Sequence, residues 1–215
     1  MIWAIVPVKP LRRGKSRLAG ILTEDDRTRL NHFLLEHILN TLNDVPEVGH
    51  TLVVSRDPAA LTLTREMGGR TVLEDGAPEF NTAIQRATVV AQAHSAHAVL
   101  VIPADLPLVT PADIQELLKR GMEAPVGVVC PDRREDGTNG LFINPAGILK
   151  YAYGPGSFHE HCKQVQDAGA RLEVVHNQAL GLDLDLPEDF EALGGIEWLD
   201  RQAAEGRKKG KRDRK

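Results

Sequence analysis

The chain has only two cysteines in 215 residues, Cys130 and Cys162. They lie far apart and neither has a Cys-x-x-Cys partner, which argues against a disulfide framework and a cysteine-based zinc site. Aromatic residues make up 4% of the chain, too few to lay out a stacking surface for nucleic-acid bases. No apolar run approaches the roughly 20 residues needed to span a bilayer, so no membrane partner is expected. Met1-Ile-Trp-Ala-Ile-Val-Pro-Val8 lacks the basic lead and small-residue cleavage site of a signal peptide. It reads as a first, buried strand, and a cytoplasmic location is expected. No Ser/His/Asp or Cys/His triad is legible. The eight histidines are scattered: His32 and His37 are five apart on a helical stretch, and His159-x-His161 could grip a metal only if extended. All eight read as surface residues or as residues lying behind a ligand-touching one.

What is present is ordinary in bulk, with 42% hydrophobic and 26% charged residues, as in a soluble globular protein. The length suits one α/β domain. The net charge of −4 hides an asymmetry, since Gly206–Lys215 holds seven Lys/Arg and one Asp, or +6, leaving −10 on the rest. Residues 1–200 are therefore expected to form the domain, and 201–215 a basic, disordered tail. Such a tail could bind nucleic acid or an anionic surface. The acidic body and few aromatics favour a solubilising end instead.

Apolar runs at Ile2–Val8, Thr51–Val54, Arg70–Leu73, Ala98–Ile102, Val126–Cys130, Gly140–Ile143 and Leu172–Val175 predict strands. Between them Glu24–Asn43 predicts an amphipathic helix with Leu30, Leu34, Leu35, Ile38 and Leu42 in one stripe. Asp57–Met67, Asn81–His94, Pro111–Met122 and His159–Ala168 also have helical patterns. Repeated β-α-β units predict one mostly parallel sheet flanked by helices. Ligands of such sheets sit at the carboxyl ends of the strands, near a topological switch.

Three constellations fall there. After the first strand, Lys9, Arg12, Arg13, Lys15 and Arg17 put five cations in nine residues. A Walker-type loop would need glycine where Lys9 stands, but a basic loop with Gly14 still suits a polyphosphate. The alternative is a solvated basic loop. The fourth strand ends Val101-Ile-Pro-Ala-Asp-Leu-Pro107, which holds Asp105 at its tip between two prolines. Near the C-terminus, Gly181-Leu-Asp-Leu-Asp-Leu186 alternates as a strand does. In an extended strand Asp183 and Asp185 would share one face, with Leu182, Leu184 and Leu186 anchoring the other. That pair could be a solvated strand face. With Asp105 it makes three oxygen ligands suited to Mg²⁺ or Mn²⁺, set opposite the basic loop. Asp136-Gly-Thr-Asn-Gly140, Tyr153-Gly-Pro-Gly-Ser-Phe158 and Asp75–Asn81 add turn-rich cradles. Gly154 and Ser157 could offer backbone N–H groups to an anion, and Asn81 an amide to a base edge.

In order, Pro7-Val-Lys9 with Lys15-Ser-Arg-Leu18, Phe80-Asn-Thr-Ala83, Pro103–Pro107, Asp136-Gly-Thr138, Gly154–Ser157 and Leu182–Asp185 resemble the guanylyltransferases of coenzyme F-420 biosynthesis that act on 2-phospho-L-lactate or phosphoenolpyruvate. These belong to the molybdenum-cofactor-type nucleotidyltransferases. The resemblance runs from Met1 to about Leu193. It implies a Rossmann-like fold of the nucleotide-diphospho-sugar transferase type and transfer of GMP from GTP to a small phosphorylated carboxylic acid, 3-phospho-D-glycerate being a third candidate. Product handover to the next enzyme of the pathway is a further expectation. The resemblance implies a metal on Asp105, Asp183 and Asp185, and an acceptor near Thr138, Gly154 and Ser157. Lys15 and Asp105 are the expected catalytic pair, and Lys9, Lys15, Arg17 and Asn81 the expected nucleotide contacts. The Leu-Ala-Gly-Gly opening of the wider class is absent, and Glu79-Phe80 stands where the family usually has a glycine and a small apolar residue. The alternatives are a cytidylyl- or uridylyltransferase of the same fold and a non-catalytic nucleotide-binding module.

Overall fold

The first strand, β1 (Ile2–Val8), is apolar almost throughout, as a strand covered on both faces must be. Ile2, Ala4 and Val6 enter one core; Trp3 and Ile5 enter the other. The structure, a computed structural model, describes residues 1–76 and 79–212, with side chains through Gln202. The connections after β1 are helix α1 (Glu24–Asn43), β2 (Val48–Ser55), α2 (Pro58–Glu66), β3 (Arg70–Leu73), α3 (Phe80–Ala93), β4 (Ala98–Val101) and α4 (Pro111–Arg120). They continue as β5 (Val126–Pro131), β6 (Thr138–Asn144), α5 (Ser157–Asp167), β7 (Arg171–Val174), α6 (Gln178–Gly181), α7 (Pro187–Ala192) and α8 (Gly195–Arg212). The seven strands lie in the order β3-β2-β1-β4-β6-β5-β7. Leucines and isoleucines of α1, α2 and α4 cover one face, and α3 and α5 cover the other. The expected architecture is the one observed.

Two features of the topology position the site. β1 lies between β2 and β4 and is parallel to both, so the crevice at the ends of β1 and β4 is the switch point. β6 alone is reversed, antiparallel to β4 and to β5. An apolar run carries no direction, so periodicity could not reveal this. The register pairs Val101 with Leu141, and Thr138 therefore lies past the tip of β4, on the side of Asp105.

A third core cluster sits beneath that rim: Leu18, Leu22, Leu30, Leu34, Leu184, Phe190, Trp198 and Leu199. It contains Trp198 and Leu199 of α8, and that helix runs through the boundary expected at residue 200 and on to Arg212. The expected loose tail is thus helical in its backbone to that point. Residues 213–215, and the side chains of the basic stretch, lie outside the described residues. Leu184→Ala should cost about 2–4 kcal/mol, the usual range for an emptied leucine site. It should also lower turnover more than Leu30→Ala, because Leu184 sits between Asp183 and Asp185. Equal losses of turnover at matched stability in urea titrations would separate this cluster from the site.

Candidate active site

The loop after β1 is held from both sides. The Leu11 N–H donates to Asp57 Oδ2 at 2.7 Å, and Asn31 Nδ2 donates to the Leu11 carbonyl at 2.6 Å. Gly14 lies so close to α1 that a Cβ there would meet Asn31 Nδ2 at 2.7 Å. Lys15 then adopts a left-handed backbone, φ 56° and ψ 39°, uncommon outside glycine. A short 3₁₀ turn at Ser16–Leu18 follows and buries Leu18. The result turns Lys15 inward, its side chain 6% exposed. Its Nζ donates to Asp105 Oδ2 at 2.7 Å and to Asp185 Oδ1 at 2.9 Å. Burial works against the ammonium, but the charges of Asp105 and Asp185 outweigh it and raise the Lys15 pKa. Lys15 therefore stays charged.

Asp105 and the C-terminal aspartates come together, though not as alternation predicts. Residues 182–186 are irregular rather than a strand. The Leu184 N–H donates to the Asp105 carbonyl at 2.9 Å, and the Asp185 N–H folds back on the Asp183 carbonyl at 3.1 Å. That tight turn breaks the two-residue repeat, so Leu184 is buried while Leu182 and Leu186 are only half-buried. Asp185 is held by Lys15 and, at 3.3 Å, by Arg17. Against the effect of burial, Lys15, Arg17 and Lys9 hold its pKa below the usual carboxylate value. Asp183 has a weaker tether, accepting from Asn139 Nδ2 at 3.3 Å. Burial first, then the charges of Asp105 and Asp185, push its pKa up. Asp183 thus has no ion-pair partner among the described residues. Among the described residues no three His, Cys, Asp or Glu side chains converge tightly enough to hold a metal as they stand; the Lys15 ammonium lies between two of the three.

Lys15, Asp105 and Asp185 line a cleft of about 180 Å³ whose walls also include Lys9 and Phe80. Lys9 is exposed and has no ion-pair partner among the described residues. Asn81 does not project freely as expected. Its Nδ2 donates to the Tyr153 carbonyl at 3.1 Å and its Oδ1 accepts the Tyr153 N–H at 2.7 Å. One N–H and one lone pair remain for a ligand, and the amide's main work is to join α3 to the 151–157 loop. Glu79 caps α3 through the N–H groups of Asn81 and Thr82. This explains the acidic residue before Phe80, while part of the Asp75–Asn81 cradle lies outside the described residues. In a larger hollow of about 430 Å³ beside Arg133, His176 and Leu182, Arg133 pairs with Asp189, and His176 Nδ1 lies 3.5 Å from Glu135.

Across the rim, Thr138 opens β6 and is buried at 6% exposure. Gly154 and Gly156 take φ of 141° and 73°, open to glycine and strained for other residues. The backbone N–H groups at the start of α5 are not free as expected. Ser157 donates to the Gly154 carbonyl, Gly156 to Asp136 Oδ1 and Phe158 to the Asp136 carbonyl. The Gly154 N–H, without a partner among the described residues, and the hydroxyls of Ser157 and Thr138 are what this cradle offers.

The residue missed at this point is His161. It is fully buried on α5, with Nδ1 2.9 Å from Thr138 Oγ1 and Nε2 accepting the Ala152 N–H at 3.1 Å. The signal available was its place four residues after Ser157, on the same helix face. Burial pushes its pKa down to about 4. A histidine with a depressed folded pKa contributes stability above its unfolded pKa, about 6.5, and that contribution is lost as pH falls through about 4. Urea titrations of wild type between pH 6.5 and 4 should therefore lose up to about 3 kcal/mol more than His161→Asn does. Parallel losses would contradict this.

The sheet order and the crevice between β1 and β4 define a nucleotidyltransferase fold. The chain matches a nucleotidyl transferase from Methanothermobacter thermautotroptrophicus with a TM-score of 0.67 and 16% identity, over 94% of this chain and 99% of that one. The family follows from sequence: residues 2–196 match the model described as guanylyl transferase CofC like, and the chain belongs to that family. It is 38% identical over 205 residues to a phosphoenolpyruvate guanylyltransferase of Rubrobacter xylanophilus, covering 94% of this chain and 99% of that protein. It is 28% identical over 188 residues to a 2-phospho-L-lactate guanylyltransferase of Methanocaldococcus infernus, covering 86% and 81%. The resemblance drawn from the motifs is borne out. No helix among the described residues is long and apolar enough to cross a membrane.

Proposed function

We propose that the protein transfers GMP from GTP to the phosphate of a small phosphorylated carboxylic acid, releasing pyrophosphate, in coenzyme F-420 biosynthesis. The observation that carries this is the Lys15 ammonium bridging Asp105 and Asp185 at the switch point, on the same rim as the Thr138 hydroxyl. The names of the relatives support GTP as donor, and the Rubrobacter protein supports phosphoenolpyruvate as the first acid to try. 2-Phospho-L-lactate and 3-phospho-D-glycerate are the other candidates.

In this reaction an oxygen of the acid's phosphate attacks the α-phosphorus of GTP. The α–β bridging bond breaks, and its electron pair leaves with pyrophosphate. A phosphate monoester, with a second pKa near 6, is already largely ionised at neutral pH, so no general base is required. Lys9 and Arg17 would hold the polyphosphate, Lys15 would neutralise charge as the bond changes, and Thr138 and Ser157 would hold the acid. Asp105, Asp183 and Asp185 cancel the charges of Lys9, Lys15 and Arg17, which leaves a triphosphate uncompensated. The oxygen-only donor set and the raised pKa of Asp183 both suit a hard divalent ion, and these three aspartates would hold it. Bound Mg²⁺, or Mn²⁺, would supply charge neutralisation at the transferring phosphoryl group.

The test is pyrophosphate release with Mg²⁺ present, crossing four nucleoside triphosphates with the three acids. Release is coupled to pyrophosphatase and the products are identified by mass. Release that needs both GTP and one acid is expected. Release with CTP or UTP instead would assign a sister activity, and silence across the grid with folded protein would reject the proposal.

A further inference from the structure

We propose that His161 is a positioning residue that sets the direction of the Thr138 hydroxyl, so that its proton is presented to an anionic oxygen of the acceptor acid. The proposal deepens the guanylyl-transfer reading and rests on it. His161 reaches the acid through Thr138 and does not touch it.

The direction follows from the partners of the ring. Nε2 lies 3.1 Å from the backbone N–H of Ala152. An amide N–H can only donate, so Nε2 must hold a lone pair. A neutral imidazole with its lone pair at Nε2 carries its proton on Nδ1. A doubly protonated ring would set one N–H against another. Nδ1 is 2.9 Å from Thr138 Oγ1, so the ring donates and the hydroxyl accepts. The hydroxyl keeps its one proton, and no described residue accepts it. At 6% exposure a permanently unpaired O–H is costly, and an oxyanion in the cradle would complete it. A phosphate or carboxylate oxygen is the strong partner for such a donor.

The ring is fixed so that this direction persists. Tyr153 packs edge-on to it with centroids 4.8 Å apart, and the Tyr153 backbone is in turn held by Asn81. Were an acceptor to stand in place of the Nδ1–H, the Thr138 hydroxyl would rotate and donate to it. The acid would then face a lone pair.

Two measurements test this. In wild-type protein labelled with ¹⁵N histidine, the His161 shifts should show a protonated Nδ1 and a bare Nε2 at neutral pH; this readout needs no variant. In steady-state kinetics, His161→Gln, which keeps an acceptor near Nε2 and loses the donor, should raise KM for the acid about 10- to 100-fold. KM for GTP should not move. His161→Asn, which keeps an N–H near the Nδ1 position, should remain within a few-fold of wild type. In a Thr138→Val background, His161→Gln should add nothing further. A ring protonated on Nε2, an unchanged acid KM in His161→Gln, or additive effects with Thr138→Val would each overturn the proposal. A folded wild type silent in the same assay would instead fail the guanylyl-transfer reading itself.

Discussion

Replacing Lys15 with methionine is expected to lower kcat/KM for GTP by about 100- to 1,000-fold, the usual effect of losing one charged group that stabilises a transferring phosphoryl group. Lys15 is singled out among the five cations of its loop by burial. Its side chain is 6% exposed, whereas that of Arg17 is 66% exposed and that of Arg12 is 74% exposed and pairs with Glu24. A buried ammonium is geometrically fixed; an exposed guanidinium is screened by water. The substitution should also destabilise, because Asp105 and Asp185 would face each other with no cation between them. Breaking a fully buried pair costs about 3–5 kcal/mol. These carboxylates are 29% and 38% exposed, so water relieves much of that and about 1–2 kcal/mol is expected. Added Mg²⁺ should restore stability to Lys15→Met more than it stabilises wild type. Unchanged kcat/KM would remove Lys15 from the reaction, and equal responses to Mg²⁺ would remove the aspartates from metal binding.

The second large effect is expected at Asp105 and Asp183. Asp105→Asn and Asp183→Asn should each lower turnover more than about 1,000-fold while the protein stays folded, since the proposed metal would be held by those charges. Asp183→Asn carries a second, opposite signature. The pKa of Asp183 is raised by burial and by its two neighbours, so the metal-free fold prefers its neutral form. A carboxyl group with a raised folded pKa contributes most stability at low pH and loses it as pH climbs through that value. Removing the charge should therefore raise Tm at pH 7 in metal-free buffer, with little change at pH 3. An active variant, or a Tm lowered at pH 7, would show that Asp183 is not an uncompensated charge in a working site.

The elements governed by local rules were legible. Glu24–Asn43 was read to the residue because its leucine stripe and acidic first turn leave little freedom. Asp105 was found because a buried apolar run must end where the first charge is tolerated. What stayed hidden was tertiary. Leu182–Leu186 imitates a strand, but no strand among the described residues pairs with it, and a two-residue backbone turn replaced the alternation. Lys15 meets partners 90 and 170 residues away, and no spacing rule reaches that far. The amides of Gly154 and Ser157 looked available because a glycine-rich helix start usually exposes them. The Ser157 N–H instead turns back on the Gly154 carbonyl, and Asp136 takes the N–H groups of Gly156 and Phe158. His161 read as one of eight scattered histidines because its meaning depends on a backbone N–H nine residues earlier.

The reversal of β6 divides labour along the chain. In the proposed reaction, what would meet the triphosphate before the last aspartates arrive comes from residues 9–105, whereas the acid would be met by one stretch, from Thr138 through Ser157, backed by His161. A new acceptor could be accommodated by rewriting those few dozen residues while the donor side is left untouched. Exchanging that stretch between relatives named for different acids would transplant preference without disturbing the use of GTP. One strand running backwards makes the two specificities separately heritable.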